Sequence, residues 1–481
     1  MELDNNNGIG PEVEDEDRLS ILVDDILLSI LGRVDITTAV RTCVLSVRWK
    51  HLPWLLRELT IDVKDFLPVL QPNLIEAEHM DEAMSSLRKV ARSFLANPRS
   101  EGAITKLHLK VYLINNYAYE IGPLLSEAID IGILKDLDLA ILDEKEISDC
   151  TDEQMLQQAS VVNGFFSAYP SVFHCLTRLS LYNICFAELD INHLLFECCK
   201  QLHHLYLSNC DLDDRSVWKI DAPDSKLSVL QLNVCLLGRL DVLCLPKLQH
   251  LEWDTWLCAR APLSFSVVPS LKEICLICAA SNTNRGFVLS EVLNDTTSIH
   301  TIKLDFQGEK LWLQPEGKQL TALNKLRKLS LHGIFVEFNL LWTLVLLDAA
   351  PFLEIFDIEI WEHPCQINDS MEMYEERPNP SWKVPKFASP SNLYMKELQI
   401  IGFKPLEQQI EFIRSVMQRA PILNTVLLKY DDPCEDCEKM GIFPPRPSRN
   451  CMFPKGEDEQ DMVVNLLKDG VSSPARIIFD D

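Results

Sequence analysis

The sequence lacks an excess of basic residues, and this absence excludes most nucleic-acid binding. It has 45 lysine and arginine residues against 71 aspartate and glutamate residues, which gives a formal net charge of -26. Affinity for a phosphate backbone depends on clustered lysine and arginine side chains. Anionic membranes would repel the same negative charge. We therefore expect neither nucleic acid nor membrane among the partners.

Long apolar runs are also missing, and so is the pattern of a signal peptide. No stretch approaches the roughly 18 apolar residues that a spanning helix needs, and residues 1–16 are polar and acidic. The 16 cysteines are scattered through apolar segments, which favours buried, reduced thiols over a disulfide framework. We expect a disordered acidic N-terminus at residues 1–16 and a soluble protein of the cytoplasm, the nucleus or both.

The common catalytic motifs are absent as well. The sequence contains no GxSxG, no HExxH, no P-loop and no GxGxxG after a strand. Cys434 and Cys437 have zinc-ligand spacing, with Cys451 further along, but no second pair lies near enough to complete the four ligands of a structural site. The expectation is a non-enzyme without metal or cofactor.

What the sequence does contain begins with three short amphipathic segments. Apolar residues recur at helical spacing over the first of them, behind an acidic first turn at Asp24 and Asp25. Thr37 or Thr38 can cap a second helix, and residues 46–56 predict a third helix with Trp49 pointing inward. Three such helices form a small, incomplete core that needs a partner surface.

The same stretch joins an Ile-Leu-rich helix to Ala-Val-Arg-Thr and then Leu-Ser-x-Arg-Trp. The residues that form this pattern are Leu22, Asp24 to Leu28, Ile30, Leu31, Ala39 to Thr42, Leu45, Ser46, Arg48 and Trp49. Through them, residues 17–60 resemble the F-box of plant proteins. Val23 stands where that family has a proline, and Val34-Asp35 replaces a frequent Leu-Pro. The resemblance implies docking to a Skp-type adaptor, and through it to Cullin, by Leu22, Val23, Ile26, Leu27, Ile30, Leu31, Val44, Leu45 and Trp49.

An apolar triplet with the spacing i, i+3, i+5 recurs through the rest of the chain. It begins at residues 104, 134, 176, 202, 227, 248, 271, 299, 326, 353, 395 and 423. Most intervals are 21 to 30 residues, which is typical of leucine-rich repeats, and two intervals of 42 residues predict an extra helix or loop. Alternate strand residues share a face, so neighbouring repeats at 61–375 should stack into a curved solenoid with a parallel inner sheet. Cys210 and Cys235 lie eight residues after the triplet starts Leu202 and Leu227. At this position a small, buried polar side chain can form hydrogen bonds with the backbone of the loop.

The C-terminal region carries a further pattern, which covers residues 376–430. The residues that form this pattern are Trp382, Val384, Pro385, Leu398, Ile400, Gly402, Phe403, Phe412, Ile413, Val416, Met417, Ala420, Pro421 and Leu423. These residues resemble the FBD segment of plant F-box proteins. Residues 408–419 predict a helix that Pro421 ends and that caps the last repeats. Residues 431–481 are expected to form an irregular tail.

The predicted fold class is α/β, a short three-helix F-box followed by the leucine-rich-repeat solenoid. The three resemblances imply a substrate-recognition subunit of a Skp-Cullin-F-box ubiquitin ligase, with an unknown protein as its target. A non-ubiquitin interaction scaffold with a degenerate F-box is the alternative. A small-ligand sensor is a third hypothesis, although the outward positions show no Arg or Lys cluster to clamp an anion. The expected target-binding residues are the outward positions Tyr206, Gln231, Asn233, Glu252, Asp254, Lys303 and Asp305, whose mildly acidic character favours a partner with basic groups.

Overall fold

The computed structural model describes residues 19, 21–68, 77–96, 104–114, 116–145, 147–187, 190–212, 217–256, 262–277, 289–293, 296, 298–307, 321–336, 338–361, 393–431 and 453–480. The chain divides into two compact units. Unit 1 comprises Met1–Leu139 and Tyr169–Cys175, and unit 2 comprises Ala140–Ala168 and Leu176–Asp481. Within the described ranges, no helix combines the length and the apolar character needed to cross a bilayer.

Unit 1 mixes short helices with parallel strands. Its α-helices are α1 (Asp24–Leu31), α2 (Ile36–Arg41), α3 (Ala77–Leu95) and α4 (Tyr117–Asp130). Its strands are β1 (Glu58–Asp62), β2 (Lys106–Tyr112) and the first half of β3 (Leu137–Leu142), and its 3-10 helices are Thr42–Val44, Leu52–Leu55, Val63–Phe66 and Pro170–His174. Because β1 pairs in parallel with β2, the predicted domain boundary between residues 60 and 61 is wrong. The first strand of the repeat sheet begins inside the segment assigned to the F-box.

The three predicted N-terminal helices become two α-helices and two 3-10 turns. Residues 46–51 lack a helix, and only Leu52–Leu55 is helical, with Pro53 in its first turn. Proline lacks an N–H and clashes with the preceding turn, which explains why the predicted helix at 46–56 is wrong. Trp49 is buried, as expected.

Helix α2 starts earlier than predicted because Asp35 is its N-cap. The Asp35 carboxylate accepts hydrogen bonds from the Thr38 backbone N–H at 2.8 Å and from the Thr38 hydroxyl at 2.7 Å. Hydrogen bonds from the Thr37 hydroxyl and then from Thr38 lower the pKa of Asp35 to about 2. The prediction of Thr37 or Thr38 as the cap is therefore wrong, and the departure at Val34-Asp35 supplies the cap itself.

Unit 2 contains a long parallel sheet, and this confirms the predicted α/β class with a parallel inner sheet. Its strands neighbour one another in the order β4 (Leu176–Tyr182), β5 (His204–Ser208), β7 (Val229–Asn233), β9 (His250–Asp254), β11 (Glu273–Ile277), β12 (Thr301–Asp305), β13 (Lys328–Phe335), β14 (Ile355–Trp361), β15 (Glu397–Ile401), β16 (Thr425–Lys429) and β17 (Arg476–Asp480). A smaller parallel sheet has the order β10 (Leu263–Val267), β8 (Arg239–Cys244) and β6 (Val217–Asp221).

Helices are fewer than strands in the described part of unit 2. The α-helices are α5 (Asp152–Ala168), α6 (Ser290–Leu293), α7 (Leu344–Ala349), α8 (Glu407–Arg419) and α9 (Glu457–Lys468). A π-helix spans His193–Cys198, and 3-10 helices span Ile147–Asp149, Thr321–Lys325 and Leu340–Thr343. Helix α5 fills the first 42-residue interval, as predicted. Most of the second interval lies outside the described residues.

The second and third members of all twelve predicted triplets lie in strands, and every member is at most 3% exposed. Strand register aligns their second members, so that Leu205, Leu230, Leu251, Ile274, Ile302, Leu329, Phe356, Leu398 and Val426 form one continuous apolar row. Burial of one such side chain contributes roughly 1.5–3 kcal/mol. This row explains why the triplet spacing predicted the strands reliably.

Two cysteines behind the row have the structural role that their positions predicted. The Cys210 thiol donates to the Leu181 and Ser208 carbonyls, and the Cys235 thiol donates to those of Leu207 and Asn233. Both side chains are buried, and burial raises the pKa of Cys210 well above its usual value. The described cysteines are free thiols.

The sheet continues past the boundary predicted at residue 376. Strands β14, β15 and β16 pair in one register, and β17 pairs with β16 in the same way. Helix α8 confirms the helix predicted before Pro421, but it joins two strands of this sheet, so the prediction of a terminal cap is wrong. The irregular tail is also wrong over the described residues 453–480, where α9 and β17 form.

Candidate functional site

Exposed apolar side chains surround the start of unit 1. We call this surface the N-terminal apolar face, and it comprises Ile21, Val23, Ile26, Ile30, Val34, Val44, Leu45 and Val47, whose exposed fractions range from 38% to 88%. These residues belong to α1, its flanking turns and the turn after α2. Since soluble proteins rarely leave a concentrated set of large apolar side chains in water, such a surface is typical of a protein-interaction site.

The nine predicted docking residues differ in how far they are exposed. Five of them lie on the N-terminal apolar face: Val23, Ile26, Ile30, Val44 and Leu45. Leu22 is half-buried, whereas Leu27, Leu31 and Trp49 are buried in the core of unit 1. The apolar stripe of α1 is wide enough to serve both sides of the helix, because α1 also packs against the 3-10 helix Leu52–Leu55. Leu27 and Leu31 therefore belong to the core of unit 1 and not to an exposed surface, whereas Trp49 has the inward position that the sequence predicted for it.

A charge pair fixes the beginning of α1. The Arg48 guanidinium lies 2.6 Å from the Asp24 carboxylate, and it also donates to the Leu22 carbonyl oxygen. Asp24 lies in the first helical turn, where a negative charge is favourable. Val23, at the N-cap position, contributes no side-chain hydrogen bond. Arg48 thus links the segment that follows the 3-10 helix Thr42–Val44 to the start of α1.

The second candidate surface is the side of the unit 2 sheet opposite the buried triplets. We call it the open face, and it includes all seven predicted target-binding residues: Tyr206, Gln231, Asn233, Glu252, Asp254, Lys303 and Asp305. They alternate with the buried triplet members along β5, β7, β9 and β12. Parallel register places Gln231 beside Tyr206 and beside Glu252, and Asp254 beside Asn233.

The first strands of the open face carry a hydrogen-bonded polar network. The Asn233 side-chain amide donates to the Tyr206 hydroxyl at 3.2 Å and to the Ser208 hydroxyl at 3.1 Å. The Gln231 amide donates to the Glu252 carboxylate at 3.0 Å. These bonds orient the outward side chains before any partner binds.

Further along the sheet the open face becomes acidic. Burial raises the pKa of Asp254, and the neighbouring carboxylates Asp305 and Glu252 raise it further. Burial likewise raises the pKa of Asp305. The hydrogen bond with His250 lowers the pKa of Glu252, and the positive charge of Lys303 lowers it further and partly offsets these charges. A positively charged group would therefore find a favourable potential here.

Four polar residues of the open face were missed by the sequence analysis: Ser330, His332, Asp357 and Glu359. His332 Nε2 lies 3.2 Å from Asp357, and His332 Nδ1 lies 2.9 Å from Glu359. Burial alone would lower the pKa of His332, but the hydrogen bonds to Asp357 and Glu359 outweigh it and raise the pKa to about 9. The same triplet spacing would have found these residues, because they occupy the alternate positions after Leu326 and Leu353.

Comparison with known families identifies the repeats. A family model described as the At1g61320/AtMIF1 LRR domain matches residues 161–457, which is more than half of the chain. The chain belongs to this leucine-rich-repeat family. The search of curated proteins found no match. This plant-type LRR domain covers all seven predicted target-binding residues and the four that were missed.

The extent of the LRR match also bears on the predicted domains. It runs without a break across residue 376, in agreement with the continuous register of β14, β15 and β16. An LRR domain suggests a role in protein–protein interaction, which places the open face among the candidate binding surfaces. The N-terminal apolar face precedes the matched residues. Cys434, Cys437 and Cys451 lie outside the described residues.

Proposed function

We propose that this chain is a substrate-recognition subunit of a Skp-Cullin-F-box ubiquitin ligase. The N-terminal apolar face binds a Skp-type adaptor, which links the chain to Cullin, and the open face binds the target protein. One observation carries the proposal: eight large apolar side chains remain exposed on the segment that resembles an F-box. An adaptor that covers them would remove this apolar area from water.

The chain needs no catalytic residue in this role. By holding a target close to a ubiquitin-charged conjugating enzyme, it raises the local concentration of the target and orients its lysines. The LRR domain suits this task because its regular strands present side chains in a fixed array. The excess of carboxylates around Glu252, Asp254 and Asp305 favours a target segment with basic groups.

The substitution Ile26→Asp tests adaptor binding. Burial of one isoleucine contributes roughly 1.5–3 kcal/mol, so a charge at this position should weaken the adaptor complex by more than about tenfold. Co-purification with a Skp-type adaptor, followed by titration of the purified proteins, measures the effect. Ile26 is exposed, and the fold should persist in the variant.

Ile131→Asp provides the matched control. Ile131 is an equally apolar and exposed residue of unit 1 at the end of α4, outside the N-terminal apolar face. The control should bind the adaptor as the unchanged chain does. Adaptor binding by Ile26→Asp at the unchanged level would refute the docking proposal.

The alternative is an interaction scaffold that does not recruit Cullin. It is favoured by the uncapped start of α1 at Val23 and by the missing third helix at residues 46–56. The presence or absence of Cullin in the adaptor pull-down distinguishes the two functions. Capture of a target protein without adaptor or Cullin would favour the scaffold.

A further inference from the structure

Three side chains with metal-ligating atoms converge at the ends of neighbouring strands of the open face. Asp305 ends β12, His332 lies in β13 and Glu359 lies in β14, and their ligand atoms are all within 4.8 Å of one another. Register pairs Asp305 with His332, and adjacent strands are about 4.8 Å apart. The two carboxylates and the imidazole therefore approach one point from three consecutive strands.

The spacing suits a single ion. Ligand atoms that each lie about 2.1 Å from an ion, at right angles to one another, are separated by about 3 Å. His332 Nδ1 and Glu359 Oε2 are 2.9 Å apart. Because this is also a hydrogen-bond distance, a proton on Nδ1 and an ion would compete for the space between these two atoms.

A fourth side chain supplies the orienting contact that metal-binding histidines usually have. Asp357 accepts a hydrogen bond from His332 Nε2 at 3.2 Å, and the Ser330 hydroxyl donates to the same carboxylate oxygen at 3.2 Å. The Asp357 side chain is only 10% exposed, and its other oxygen, Oδ1, is buried without a hydrogen-bond partner. A carboxylate on the second ring nitrogen fixes the tautomer that leaves the first nitrogen free for a metal.

The backbone beside Asp305 is shaped for this cluster. Gly333 has φ +63°, and a Cβ atom there would lie 2.6 Å from Asp305 Oδ1 and 2.4 Å from the Gln307 backbone nitrogen. That nitrogen donates to Asp305 Oδ1 at 3.0 Å. Glycine thus allows the carboxylate to sit against the end of β13, where any other residue would push it away.

We propose that Asp305, His332 through Nδ1, and Glu359 form a binding site for a divalent first-row transition ion, and that Asp357 orients the imidazole. Carboxylates with one imidazole suit Mn²⁺, Fe²⁺ or Zn²⁺. Binding of an ion through Nδ1 releases the Nδ1 proton to solvent and leaves a neutral imidazole. The three carboxylates then outnumber the nearby cation Lys303, so the local charge favours a cation. This site is independent of adaptor binding and would give a target protein an additional point of attachment.

Manganese binding to the full-length chain tests the proposal. Mn²⁺ prefers oxygen and nitrogen ligands, so the chain's thiols compete weakly for it. Electron paramagnetic resonance gives the affinity, and pulsed measurements detect coupling to a histidine nitrogen. We expect Asp305→Asn and His332→Ala each to weaken binding by more than about tenfold, with loss of the nitrogen coupling in His332→Ala.

Two further variants make the result decisive. Asp357→Asn keeps all three ligands and should weaken binding by about tenfold, with thermal unfolding verifying its fold. His250→Ala removes another histidine that lies between two carboxylates, 3.4 Å from Glu252 and 3.2 Å from Glu273, and should leave Mn²⁺ affinity unchanged.

Three outcomes would overturn the assignment. They are the absence of binding at millimolar Mn²⁺, nitrogen coupling that survives in His332→Ala, and equal weakening in His250→Ala. If the chain binds an arginine-containing peptide but does not bind Mn²⁺, the cluster is instead a binding site for a basic side chain of a partner.

Discussion

The N-terminal apolar face and the open face differ in how their side chains are satisfied. On the first, isoleucine, valine and leucine face water with no polar group to orient. On the second, hydrogen bonds such as those from Asn233 to Tyr206 and from His332 to Asp357 already hold the side chains in place. Burial of the apolar surface is favourable with any partner of complementary shape. The polar surface discriminates among partners, because a polar group that is buried without a hydrogen-bond partner is costly. The contrast agrees with the proposal of a constant adaptor on one surface and a selected target on the other.

The largest test of this contrast uses two adjacent residues of α1. Leu27→Ala, in the core of unit 1, should destabilise the protein by about 2–5 kcal/mol. Ile26→Ala, on the N-terminal apolar face, should change stability by less than about 0.5 kcal/mol and weaken only adaptor binding. Denaturant unfolding of both variants measures the difference. Equal losses of stability would mean that Ile26 also belongs to the core.

A pair of glycines tests the rigidity of the open face. Gly132 and Gly333 both have positive φ, but a Cβ at Gly132 would meet nothing within 4 Å. Gly132→Ala should cost about 1–2 kcal/mol for the left-handed backbone alone. Gly333→Ala should cost at least about 1 kcal/mol more, because its Cβ would displace the Gln307 backbone or Asp305. Similar unfolding midpoints for the two variants would show that the end of β13 adapts freely.

The smallest expected effect concerns pH. The hydrogen bond to Glu252, with a further contribution from Glu273, raises the pKa of His250 above its usual 6.5 although burial opposes this. A raised pKa in the folded state means that the protonated imidazole stabilises the fold below pH 6.5, and that this contribution is lost as pH rises through the folded value. The melting temperature of His250→Gln should therefore lie below that of the unchanged chain in mild acid, and the gap should close in mild base.

Exposed His203 supplies the control for this titration. Its ring contacts the Gln201 backbone carbonyl instead of a carboxylate. His203→Gln should lower the melting temperature in mild acid less than His250→Gln does, because it removes no contact with Glu252 or Glu273. The interpretation of His250 fails if both variants show the same gap at every pH.

The fold could be predicted largely from one spacing. In the triplets that begin at Leu202 and Leu227, the second and third members are buried because alternate strand residues face the apolar side of the sheet. The spacing within a triplet therefore indicates the strand, and the interval between triplets indicates the repeat length and the register. Strand β1 was overlooked although Leu56, Leu59 and Ile61 have the triplet spacing and are buried. Strand β17 was missed because the signal fades at this end of the sheet, where Ile477 and Phe479 are only half-buried. Pro53 was overlooked, and with it the break in the third predicted helix.

The candidate surfaces were less predictable, since they depend on which side of each element meets a neighbour. Helical spacing placed Ile26 and Leu27 on one apolar stripe, but only packing against Leu52–Leu55 shows that Leu27 faces inward. Asp305 was found by alternation along its own strand. Its alignment with His332 and Glu359 was encoded in the repeats, because the three residues each stand six positions after the start of successive triplets at Ile299, Leu326 and Leu353. The distances between their ligand atoms depend on side-chain conformation, which the spacing does not give.

The register of the triplet residues has a consequence for how such proteins can change over generations. The triplets at Ile299, Leu326 and Leu353 follow one another at equal intervals of 27 residues, and their second and third members pair in step, before the register of β13 and β14 shifts between Leu331 and Ile334. Duplication or excision of one whole interval would again place one apolar residue beside another in the apolar row, whereas a shift by a single residue would turn every side chain of a strand to the wrong face. Gene segments of this length can therefore be gained or lost while the fold survives. Each such event would change the set of acidic and polar side chains that the open face presents to a partner.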